Sequence, residues 1–170
     1  MLKIKPNNLG RIAFFVVLII CAAGGFLYAT KTFSSAPAPE LDYFKGSWTI
    51  TLKSNPKEAF RWTVKEDLQG NWLAGVVEKN GEKVSTDFWR QNGKRIERFA
   101  FTADGMFVKI ESSGWESDRL VFTGIISDKA GETKVRETIT KVNERQFQAL
   151  WERADGDGKW MTFADEICTK

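Results

Sequence analysis

The chain contains no histidine. That absence removes the commonest general base, the Ser-His-Asp triad, His-ligated zinc and a His-held haem. Cysteine is almost as scarce, with only Cys21 and Cys168. Cys21 falls inside an apolar run and Cys168 lies near the C-terminus, so an exported domain has no internal disulfide. Thiolate metal sites also fail for want of ligands. Asp155-Gly156-Asp157-Gly158 supplies two carboxylates, too few for calcium, and reads as a hairpin turn. No metal and no cofactor is expected. Carboxylate pairs are what remains for catalysis, and none stands out, so the chain reads as a non-enzyme.

A basic surface is missing too. The formal net charge is +3, but Lys3, Lys5 and Arg11 precede the apolar run and every acidic residue follows it. Removing those three from the 25 basic residues leaves 22 against 22 acidic ones, so the remainder is neutral. Nucleic-acid binding calls for a clustered basic face, and none is present. Lys94, Arg95 and Arg98 form a small local excess, read most simply as a solvated strand end.

Long apolar stretches are absent with one exception, Ile12 to Ala29, which carries no charge. As a helix its 18 residues reach roughly 27 Å, enough for a thin bilayer core. A secretory signal has a shorter apolar core and a small-residue cleavage site, which Leu27 and Ala29 supply poorly. The run therefore reads as a retained transmembrane anchor, with a secreted domain after signal cleavage as the alternative. Basic residues in front of it place Met1 in the cytoplasm and the rest of the chain in the periplasm or outside the cell. Four segments follow: a cytoplasmic flank at 1–11, the anchor at 12–29, a Pro/Ala/Ser tether at 30–41 and an extracytoplasmic domain at 42–170.

Beyond Tyr43, alternating apolar residues and recurrent turn signals indicate strands throughout. Asn80-Gly81 and Asn92-Gly93 are the clearest two-residue hairpin turns. Strands are expected at 46–54, 59–67, 72–79, 82–91, 94–102, 106–112, 118–127, 133–142, 145–153 and 159–168. Every link is short, so sequential strands pair as antiparallel neighbours. The expected fold is mainly β: an antiparallel up-and-down barrel of about ten strands, since closure removes exposed edges. The two-residue period points Trp48, Ile50 and Leu52 inward, with Phe60, Trp62 and Val64. Trp72, Ala74 and Val76 follow, then Val84, Thr86 and Phe88. Val108 and Ile110, Leu120, Phe122 and Ile126, Val135 and Ile139, and Phe147, Ala149 and Trp151 complete the set. The 94–102 strand stays open, because Ile96 and Ala100 oppose Phe99 and Phe101.

Phe44-Lys45-Gly46-Ser47-Trp48 opens the first strand. This F-x-G-x-W start, followed by antiparallel strands, resembles the lipocalin and calycin superfamily. The strand count is nearer that of its ten-stranded bacterial members. The resemblance implies that Gly46 turns the chain into strand one. It also implies that Trp48 closes one end of the barrel beneath a late-strand arginine, Arg153 or, second, Arg136. The linker Asn55 to Glu58 is too short for a two-helix lid, and the proximal histidine of haem-binding relatives is absent. The resemblance thus implies a scaffold without a ligand or a reaction.

Two in-phase charges are notable. Arg90 follows Val84, Thr86 and Phe88, and Glu137 lies between Val135 and Ile139. A buried charge must pair, reach the mouth or meet a ligand. A phase error is the competing reading. The candidate ligand-facing set is Trp62, Phe88, Arg90, Phe122, Glu137 and Trp151; Gly46, Trp48 and Arg153 form the candidate closure set. The expected role is a membrane-anchored accessory subunit of a larger membrane protein complex. The alternative is carriage of a small hydrophobic ligand in the barrel.

Overall fold

The structure, a computed structural model, describes residues 39–170. The expected anchor, its flank and most of the tether lie outside the described residues. Among the described residues no helix is long and apolar enough to cross a membrane. A four-residue helix, α1 (Pro39–Asp42), leads into the strands. These are β1 (Gly46–Leu52), β2 (Asn55–Asp67), β3 (Trp72–Lys79), β4 (Glu82–Asn92), β5 (Arg95–Thr102), β6 (Phe107–Ser112), β7 (Trp115–Glu116), β8 (Arg119–Asp128), β9 (Gly131–Asn143), β10 (Gln146–Ala154) and β11 (Trp160–Thr169).

Strands joined by short turns pair antiparallel with their neighbours in sequence. Two further pairings close the ring: β1 with β11, and β6 with β8. The two-residue β7 pairs only with β8 and stands outside the ring. The result is a closed ten-stranded antiparallel barrel, and the expected strands match it closely. β2 differs, beginning at Asn55 rather than at 59 because a bulge beside Leu52 lets it pair almost to the turn.

Half of the barrel is solid. Phe44, fully buried, fills one end and meets the rings of Trp89 at 4.9 Å, Tyr43 at 5.3 Å, Phe147 at 5.6 Å and Trp115 at 5.9 Å. Leu41 is buried with it, so the expected tether 30–41 ends inside the domain rather than outside it. The Trp115 indole donates to the Glu40 carbonyl at 3.2 Å, and the Tyr43 hydroxyl donates to the Asn143 carbonyl at 2.9 Å. Burying such large rings supplies much of the hydrophobic driving force, about 1.5–3 kcal/mol for a fully buried Phe side chain.

Gly46 adopts φ +111°, a conformation that disfavours a side chain, where the chain swings from this plug into β1. The Trp48 indole donates to the Phe44 carbonyl at 2.6 Å and so ties plug to barrel. Arg153 is not above Trp48. It sits exposed at the other end of β10, opposite Val135 and Met161. Arg136 is on the outer surface, paired with Glu152 and stacked on Trp160 at 4.7 Å. The cation over Trp48 is Lys170, 4.5 Å from the ring, with Lys141 similarly placed over Trp115 at 4.1 Å.

Candidate functional site

The other half of the barrel is hollow. A cavity of about 550 Å³ opens at the end that carries the β1–β2 and β5–β6 turns, away from the plug. Its walls are chiefly apolar, including Ile50, Leu52, Phe60, Val77, Met106 and Ile126, and Arg98, Trp151 and Glu166 also line it. The size falls within the range of about 300–1,000 Å³ typical of small-molecule pockets.

A charged partition separates cavity from plug. Arg98 on β5 directs one guanidinium nitrogen to both oxygens of Glu137 on β9, at 2.8 and 2.7 Å. Its other nitrogens reach Oδ2 of Asp87 on β4, at 3.1 and 3.0 Å. Asp87 also accepts from the indoles of Trp89 at 2.8 Å and Trp62 at 3.2 Å. The guanidinium lies 4.4 Å from the Trp89 ring centre and 5.6 Å from that of Trp151. β5 and β9 are not neighbours, so the Arg98–Glu137 pair crosses the lumen as a strut. Buried charges survive only with such full pairing.

Two local features make room for this network. Gly75 on β3 lies directly beneath it. A Cβ there would sit 1.8 Å from Asp87 Oδ1 and 2.4 Å from Trp62 Nε1, so no side chain fits. The β3–β4 hairpin also carries a bulge: Glu78 pairs with Lys83 but Val77 pairs with Ser85. The extra residue shifts β4 by one, and every later side chain of β4 changes face.

That bulge corrects the inward set on β4, where Val84 still lines the cavity, while β3 is corrected by its pairing with β2, Val77 lying opposite Trp62 and Gly75 opposite Val64. Ser85, Asp87 and Trp89 face the lumen opposite Val77, Gly75 and Leu73. Thr86, Phe88 and Arg90 face out, as do Trp72, Ala74 and Val76. Phe88 is therefore outside the barrel, paired across strands with Phe99. Arg90 is outside as well, bonded to Glu97 and stacked 5.0 Å from the Trp72 ring. Glu137 points inward and pairs with Arg98. Trp62 and Phe122 are buried in the solid half, Phe122 edge-on to Trp89 at 5.4 Å. Of the candidate ligand-facing set, Trp151 alone lines the cavity. Arg98, read as part of a solvated strand end, is instead the buried centre, and Asp87 and Glu166 complete the site.

Protonation follows from burial. Arg98 is held firmly charged: burial opposes the charge, but Glu137 and Asp87 outweigh it. Burial pushes Glu137 up, with Arg98 pulling against it. Glu166 on β11 is raised to about 7, first by burial and then by the charge of Glu137. Its carboxylate has no hydrogen bond and no ion pair among the described residues. Cys168 is a free, buried thiol pushed well above its ordinary value by burial and by Glu166, which favours its protonated form. No cluster able to hold a metal ion occurs among the described residues.

The class these features define is a closed ten-stranded antiparallel barrel, plugged at one end and open at the other, consistent with a lipocalin- or calycin-like barrel. Compared with known proteins, the sequence matches no family model and no curated protein.

Proposed function

We propose that this domain binds a small, largely apolar molecule in the open half of its barrel, without catalysing a reaction on it. The observation that carries the proposal is the 550 Å³ cavity: mainly apolar walls, a few convergent polar groups at its base, and an opening at the end away from the plug. Among the described residues the buried thiol makes no hydrogen bond to a base, and Arg98 is engaged by two carboxylates, which favours holding over chemistry. The uncharged run at 12–29, behind three basic residues, supports a membrane-tethered domain outside the cytoplasm.

The test is to fill the cavity. Ala164 lines it, and Ala164→Trp places an indole where the ligand would lie. Full-length wild type and variant, purified identically in mild detergent, are extracted with organic solvent and compared by mass spectrometry. An apolar molecule retained by wild type and absent from the variant is expected. Identical extracts refute the proposal.

A second reading, an accessory subunit of a membrane complex, is favoured by a different feature. Trp72, Phe88, Phe99, Phe101 and Phe107 form an outward aromatic row across β3 to β6, with Phe101 half exposed. Aromatic residues are enriched at protein interfaces. Co-purification with a larger complex in mild detergent is the expected result; migration as a free 19.3 kDa chain opposes it.

A further inference from the structure

We infer that the molecule held in the cavity carries a positively charged hydrogen-bond donor, a lipophilic ammonium, with Glu166 as its partner. The inference rests on the cavity reading above and specifies the polar end of the ligand.

Charge balance is the first argument. The base of the lumen gathers three carboxylates, Asp87, Glu137 and Glu166, around one guanidinium. Arg98 is already engaged: Glu137 takes one nitrogen through both its oxygens, and Asp87 takes the other two. An anionic head group seeking Arg98 must displace a buried carboxylate and then sit beside a second one. A carboxylate or phosphate ligand is therefore disfavoured, although a buried arginine at the base of a barrel would ordinarily attract one.

The second argument is the vacant acceptor. Glu166 lines the cavity, is half-buried, and makes neither a hydrogen bond nor an ion pair among the described residues. A carboxylate partly withdrawn from water and without a partner has lost solvation that a ligand donor restores. An ammonium does so best, because it supplies the charge the cluster lacks and makes a charge-assisted bond. Trp151 and Phe163 are also in the lining, and aromatic rings attract cations rather than anions to their faces. The raised value of Glu166, about 7, leaves it able to ionise when an ammonium arrives near neutral pH.

Three ligands of one tail length separate the possibilities: octylamine, octanol and octanoate. Each is titrated at pH 7.5 into the full-length chain held in amphipol, with protein-free amphipol as the blank, and tryptophan emission is followed. Octylamine is expected to bind at least tenfold more tightly than octanoate. Glu166→Gln is expected to reduce octylamine affinity at least tenfold and octanol affinity less than threefold. The comparison within wild type stands even if that variant folds poorly. Octanoate binding as tightly as octylamine overturns the inference. So does equal binding of octylamine and octanol with no response to Glu166→Gln, an outcome that leaves the cavity reading intact. Failure of all three to bind overturns the cavity reading and this inference with it.

Discussion

Replacing Arg98 with methionine is the most direct trial of the electrostatic account. The substitution retains much of the side-chain volume and removes the charge, leaving Asp87 and Glu137 facing each other across a low-dielectric lumen. Breaking a buried pair in this way costs about 3–5 kcal/mol. With a urea slope of about 1–3 kcal/mol per molar, the unfolding midpoint falls by roughly 2 M. Acid should lessen the loss, because protonating the orphaned carboxylates removes negative charge that no cation then balances. The triple variant Arg98→Met, Asp87→Asn, Glu137→Gln should recover most of the stability, since neutral groups carry a far smaller burial cost. The assay is urea unfolding of the full-length chain by tryptophan emission and circular dichroism, at pH 4.5 and pH 7.5. A single variant within about 1 kcal/mol of wild type at both values, or a loss indifferent to pH, would refute the reasoning.

Gly75→Ala should destabilise by about 1–3 kcal/mol and change tryptophan emission, because its Cβ must expel Asp87 from the Trp62 indole; urea unfolding measures it. Glu166 supplies a pH dependence. Its folded value of about 7 exceeds the ordinary 4.5, so between these values the folded state keeps a proton that the unfolded state has released. Its stabilising share is complete at low pH and disappears as pH rises through 7, amounting to about 1–3 kcal/mol, and Glu166→Gln should flatten that slope in unfolding measured from pH 5 to 8. Arg90→Ala should cost no more than about 1 kcal/mol and leave the solvent extract unchanged, since Arg90 lies on the outer face; a lost extract would place it in the site after all.

The fold was legible because its signals are local and repeated. Asn80-Gly81 does form its hairpin turn, the next turn falls one residue late at Gly93-Lys94 with Asn92 paired to Arg95, and strands between such short turns can only meander. The site was harder to see for a reason visible at Val84. One extra residue in the β3–β4 hairpin inverts the phase of β4, and alternation alone cannot register a bulge. Apolar residues on both faces hid the inversion on β4, where Phe88 is outside and the charged Asp87 inside, and the same two-sided pattern masked β3, where Trp72 is outside and Leu73 inside. The ambiguity of β5 was the available clue. Setting Ile96 and Ala100 inward carries Arg98 inward too, and Glu137, already placed inward, needed a cation.

The pairing of β1 with β11 joins Thr49 to Thr169 across almost the whole described chain. Stitching the ends of a hoop together is the costliest way to gain a ladder of hydrogen bonds, because the intervening segment must first be gathered in. Topologies of this kind acquire their native shape in milliseconds to seconds rather than microseconds. During that interval two unsatisfied rims are open to other chains, and shielding them until they meet each other is the hazard this architecture carries from birth.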